Sequence, residues 1–180
     1  MSDWTAAVTD RFVDVFERVE EHRGDHGCGE EADRATAFRL AVLARMSRAS
    51  YVLFVDAGLG YEALHVAAAL GLTGRVEVVE EDEAHVREIE QAFARHGLSD
   101  KLSTITAAPE ASVPYLNGPY DLVIDRRGET VRALGEVYRL LRTGGTYVAP
   151  AGSGAESDLC RDERWLTAVL GPHVVAVKIR

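Results

Sequence analysis

At 180 residues the chain is long enough for one sizeable core and short for two, so a single domain over 1–180 is expected. Hydrophobic residues make up 47% and charged residues 27%, as in soluble globular proteins, and no apolar run approaches the ~18 residues of a membrane span. A formal net charge of -9 repels phosphate backbones, which argues against nucleic acid as the principal partner and in favour of a small molecule.

The opening "MSDWTAAVTDRF" carries acids early and no apolar signal-peptide segment, so a cytoplasmic location is expected. From Trp4 the apolar positions Val8, Phe12, Val15, Phe16 and Val19 recur at three- and four-residue steps, one stripe of an amphipathic helix ending near "EHRGDHG". His22, His26 and Cys28 in that segment have the spacing His-x3-His-x-Cys, but they lack a fourth ligand at zinc-like spacing and read as a polar loop rather than a metal cluster. Cys28 and Cys160 lie far apart with no CxxC spacing, so reduced thiols are expected. A second helix is predicted over Glu31 to Met46, leading into the β-branched run "YVLFV".

The chain then alternates. A helix over Tyr61 to Leu70 is followed by strand "RVEVVE", a helix over Glu83 to His96, strand "LSTIT", a short helical piece near Glu110 and strand "YDLVID". A helix over Glu129 to Leu141 and strand "TYVAP" come next. Short apolar strands separated by amphipathic helices predict right-handed crossovers in a doubly wound, Rossmann-like, mostly parallel α/β sheet. The segment "AGSGAESDLCRDER" reads as a mobile loop or a poor helix. The last two apolar runs, separated only by Gly171, Pro172 and His173, are too close for a crossover and predict an antiparallel hairpin at the sheet's edge.

In open α/β sheets, ligands bind beyond the carboxyl ends of the strands at the switch point. "FVDAGLGYE", Phe54 to Glu62, lies there. Gly58 and Gly60 let the backbone turn sharply and approach a ligand closely, and the helix starting at Tyr61 aims its free N–H groups at the same place. Packing alone would also account for such a turn. Glu80 closes the next strand twenty residues after Gly60, where a carboxylate can accept from both hydroxyls of a ribose. A pyrophosphate-binding GxGxxG would need glycine where Ala63 stands, so the match to a dinucleotide fingerprint is partial. His65 and His85 fall in helices beside the pocket, as packing residues or as a general base, and Tyr61 is either a cofactor contact or a core contact. Arg126 and Arg127, after Asp125, read as a pair that holds an acidic acceptor or as a surface pair.

These elements together resemble the class I S-adenosylmethionine-dependent methyltransferases, and within them the small O-methyltransferases that include the catechol and caffeoyl-coenzyme A enzymes. "ASYVLFVDAGLGYEALHVAAAL" is similar to that family's first strand, glycine turn and helix, "RVEVVEEDEAHV" to its second strand, "YDLVID" to its fourth, and "LRTGGTYVAP" to its turn into the fifth. The resemblance covers roughly residues 32 to 180. It implies a seven-stranded sheet, S-adenosyl-L-methionine as cofactor, N-terminal helices over 1–47, and a cofactor-binding core over 48–180. Asp56, Gly58, Gly60, Tyr61, Glu80 and Ala108 are the implied cofactor-binding residues, and Asp125 is the candidate for base or acceptor anchor. The N-terminal helices would cover the acceptor site or form a homodimer contact.

The departures are specific. In the ungapped register the family's motif-opening acid falls on Phe54 and its first glycine on Asp56, whereas a shift of two makes Asp56 the acid, within reach of the cofactor's amine. Ala107 and Ala108 stand where the family often has an Asp that binds adenine, leaving backbone groups or Glu110 for that contact. Many members place a divalent ion with an Asp after the fourth strand and an Asp-Asn pair after the fifth. Here Pro150 and Ala151 take the second place, so no catalytic metal is expected. The expected activity is metal-free methyl transfer to a small-molecule acceptor, with oxygen the favoured atom. The alternatives are a non-catalytic relative that keeps the fold and a nicotinamide-dependent oxidoreductase.

Overall fold

The apolar runs of the middle strands are buried on both faces, which is what a parallel sheet covered by helices requires. In the computed structural model, which describes residues 10–26, 33–128 and 134–180, they form strands β1 (Tyr51–Val55), β2 (Arg75–Glu80), β3 (Leu102–Thr106) and β4 (Tyr120–Asp125). With β5 (Leu141–Pro150), β6 (Trp165–Leu170) and β7 (His173–Lys178) they make one seven-stranded sheet in the order β3-β2-β1-β4-β5-β7-β6. The pairings among β1 to β5 are parallel, and β7 runs antiparallel to both β5 and β6. The doubly wound sheet with a closing hairpin is therefore as expected, with the second hairpin strand lying inside the first.

Period-two alternation sorts β1 between two cores. Val52 and Phe54 face one side, with Phe12, Leu40, Leu64, Ile89 and Phe93. Leu53 and Val55 face the other, with Tyr120, Val137, Leu140, Tyr147 and Leu159. The first side is covered by α1 (Val13–His26), α2 (Arg34–Met46), α3 (Tyr61–Ala69) and α4 (Glu83–Arg95). The second is covered by α6 (Leu134–Leu140), α7 (Ala155–Arg161) and the 3-10 turn Val113–Tyr115, which follows the short α5 (Pro109–Ser112).

Carboxylates start two of the helices by satisfying orphan amides. Asp33 accepts from Ala35 N and Thr36 N, and Asp82 accepts from Ala84 N at 2.7 Å. Phe12, Val15 and Val19 of the predicted N-terminal stripe are buried, while Trp4 and Val8 lie outside the described residues.

One boundary moves. The fifth strand was expected at Thr146, but β5 begins at Leu141, because its register against β4 jumps from Tyr120↔Leu141 to Leu122↔Thr146. The extra residues bulge out around Gly144, whose φ of +79° suits glycine. Among the described residues, no helix is long and apolar enough to cross a membrane.

Candidate functional site

Three strands end together at the crevice. The amide of Asp56, just past β1, donates to Val79 O at 2.9 Å, and Arg126 N, just past β4, donates to Val55 O at 3.2 Å. Between β1 and α3 the chain takes a left-handed backbone three times, at Asp56 (φ +63°), Gly58 (+54°) and Gly60 (+84°). Gly60 also closes the turn through its amide to Ala57 O, and a Cβ there would stand 3.1 Å from Ile89 Cγ1 of α4. The left-handed state at Asp56 is one that glycine fills without strain and that other residues adopt rarely.

Glu80 is 1% exposed at the end of β2. Its Oε1 accepts from Asp82 N at 3.1 Å and lies 3.6 Å from His85 Nδ1. Its Oε2 is buried with no hydrogen-bond partner. A buried carboxylate oxygen left unpaired is costly, and a hydroxyl donor is the chemistry that would satisfy it. Ala107 N donates to Glu80 O at 3.0 Å, which brings Ala108, the residue before α5, to the same end of the sheet. Glu110 is exposed.

Both arginines after β4 are engaged by acids of this crevice. Arg127 Nε donates to Asp56 Oδ2 at 2.7 Å and its Nη2 to Glu81 at 2.9 Å. These two hydrogen bonds raise its pKa further above the usual guanidinium range. Arg126 Nε lies 2.8 Å from the buried Glu62. Neither arginine is a plain surface residue.

Asp125, 1% exposed, is in register with Val55 at the crevice floor. Its Oδ1 accepts from Gly128 N and its Oδ2 from Tyr147 OH, each at 3.0 Å. Burial and this carboxylate push the Tyr147 phenol up. The carboxylate is thus already engaged in holding the turn after β4 against β5.

Tyr61 turns toward α1. Its hydroxyl donates to Asp10 at 2.6 Å, and its ring packs edge-on against Phe16 and His65. His65 sits in an aromatic nest with Phe12 and Phe38, its Nε2 3.3 Å from Asp10, and burial pulls its pKa below the usual value. His85 Nε2 meets His22 Nε2 at 3.1 Å, which ties α1 to the helix that follows Glu80. His65 packs among these rings with its buried Nε2 making no hydrogen bond, whereas His85 bridges α1 and the crevice. Cys28 lies outside the described residues, and no group of three or more His, Cys, Asp or Glu suited to a metal occurs among those described.

No family model matches the chain, and no curated protein matches it. Solved structures do. The O-methyltransferase TomG from Streptomyces achromogenes, in complex with SAM, superimposes with a TM-score of 0.81 at 16% identity, over 96% of this chain and 92% of that one. An O-methyltransferase from Bacillus cereus in complex with SAH gives 0.76 at 14% identity over 96% and 92%. An SAH-bound methyltransferase from Podospora anserina gives 0.82 at 17% identity over 96% and 89%. The chain shares their fold. At these identities the likeness establishes the fold alone.

Proposed function

We propose that the chain binds S-adenosylmethionine at the glycine turn and directs methyl transfer to an oxygen of a small-molecule acceptor. The observation that carries this reading is the buried, unpartnered Oε2 of Glu80 beside the 56–60 turn, in a fold shared with three methyltransferases whose structures hold SAM or SAH. Glu80 would accept from the ribose hydroxyls, Gly58 and Gly60 would admit the ligand close to the backbone, and Ala108 would border the base. Tyr61 would contribute through the backbone at the start of α3, its side chain being committed to Asp10. Asp125 would act by fixing the turn after β4. When bound, the cofactor supplies an electrophilic methyl group on a sulfonium. The chain's part is to align the acceptor and exclude water, a task that needs no metal.

The engagement of both Asp125 oxygens favours a second reading, a relative that binds the cofactor without catalysis. We also take the chain as one cytoplasmic domain. Exposed Val42 and Met46 on α2 and Leu166 and Val169 on β6 support a homodimer contact. Calorimetric titration with S-adenosylhomocysteine and with NAD tests the reading. Micromolar binding of the first is expected, and binding of NAD alone would overturn it in favour of an oxidoreductase.

A further inference from the structure

We propose that His85 is a positioning residue for Glu80 and that His22, on α1, sets the imidazole tautomer that lets it act. His85 directs Nδ1–H at Oε1 of Glu80, which keeps Oε2 as the oxygen offered to the ligand. This rests on the reading of Glu80 as the ribose acceptor.

Buried groups from α1, α4 and β2 meet here: His22, His85 and Glu80. The Nε2 atoms of the two histidines stand 3.1 Å apart, and the other ring nitrogen of His85, Nδ1, lies 3.6 Å from Glu80 Oε1. Two nitrogens at hydrogen-bond distance need a proton between them, since two lone pairs there would repel. That proton belongs to one ring or the other, and the choice fixes what His85 shows to Glu80. If His22 donates, a neutral His85 carries its own proton on Nδ1 and presents it to the carboxylate. If His85 donates, its Nδ1 lone pair faces the carboxylate in a buried place where repulsion is weakly screened. The first arrangement is therefore selected. Asp82 Oδ2 pulls the other way, 3.9 Å from His85 Nε2, but its side chain is 53% exposed against 2% for Glu80, so water screens it.

The consequence for Glu80 is orientation. The last torsion of a glutamate is soft, so a carboxylate held at one point can turn and exchange its oxygens. Oε1 already accepts from Asp82 N at 3.1 Å. A second proton aimed at the same oxygen from His85 holds the group one way round, with Oε2 left for a ribose hydroxyl. At 3.6 Å the His85 contact is electrostatic rather than a full hydrogen bond, and it still distinguishes the two oxygens. Through His22 the same contact makes the ligand site depend on α1.

The test replaces one nitrogen at a time. His85→Asn keeps an N–H donor near the place of Nδ1 and gives up Nε2, whereas His85→Leu gives up both. Calorimetry on the full chain should show S-adenosylhomocysteine binding about 3- to 10-fold weaker to His85→Leu, the range for one hydrogen-bond partner, and within about 2-fold of wild type to His85→Asn. Both variants lose the tie to His22, so a packing role alone would weaken them alike. Equal loss in the two overturns the proposal, as does unchanged affinity in His85→Leu. Should His85→Leu not fold, His22 decides: His22→Gln, which keeps a donor near Nε2, should bind as wild type and His22→Leu more weakly, and equal affinities for the two overturn the proposal. If Glu80→Gln binds as wild type, the ribose reading falls and this proposal with it; a loss in Glu80→Gln without one in His85→Leu overturns this proposal alone.

Discussion

The Tyr61 hydroxyl donates to Oδ2 of Asp10 at 2.6 Å, tying the first residue of the helix after the glycine turn to the segment that leads into α1. Asp10 is a hub: it also accepts from Phe12 N at 2.9 Å and lies 3.4 Å from Arg34 Nε and 3.3 Å from His65 Nε2, with a side chain only 6% exposed. Burial and Asp10 together raise the Tyr61 phenol far above its ordinary range, so the hydroxyl stays protonated as the donor. Tyr61→Phe should lower stability by about 1–2 kcal/mol, the cost of a lost buried hydrogen bond to a charged acceptor, read from urea unfolding.

Gly60 combines a left-handed φ of +84° with contact from Ile89. Gly60→Ala should therefore destabilise by about 1–2 kcal/mol from backbone strain, with a further contribution from pushing α4. Thermal unfolding reads the stability. Nucleotide-ligand affinity should fall by more than the stability change alone would produce, because the turn itself changes shape.

His65 provides a pH dependence whose sign follows from burial. Its folded-state pKa lies below the reference value of 6.5, chiefly because burial penalises the charged ring, with Asp10 acting in the opposite sense. The stability that neutral His65 contributes is fully present above pH 6.5 and is lost as the pH falls from there toward its lower folded value. His173 is shifted in the same direction by burial and by Arg39. Melting temperature should drop between roughly pH 7 and 5, and His65→Gln should flatten that slope in part, leaving the share that belongs to His173. A slope identical in the variant would show that His65 does not contribute to the pH dependence.

Asp125 and Tyr147 give a way to separate holding from catalysis. Tyr147→Phe leaves Oδ2 of Asp125 without the phenol and should cost about 1–3 kcal/mol of stability, since that oxygen is buried. Asp125→Asn should keep cofactor affinity within a few-fold while lowering the melting temperature.

Much of the architecture was legible because it depends on local patterns. "YVLFV", "RVEVVE" and "YDLVID" are strands buried on both faces, and such strands read as continuous apolar runs. The start of β5 was missed because its bulge is made through pairing with β4, a long-range event hidden behind "LRTGG". In the candidate site, the glycine turn and Glu80 were visible through spacing along one stretch of chain. Arg127 with Asp56, Tyr61 with Asp10, and His22 with His85 lie 71, 51 and 63 residues apart, so no local signal joins them. Composition could nominate each of these residues; only the fold pairs them.

The unpartnered Oε2 of Glu80 is tested most directly by the affinity of S-adenosylhomocysteine for the wild type and for Glu80→Gln, by calorimetry at one pH. The variant should bind about 1–3 kcal/mol more weakly, as expected for loss of a charge-assisted acceptor, with an unchanged melting temperature in the absence of ligand. Equal affinity in the two proteins would contradict the assignment of Glu80 to the ribose.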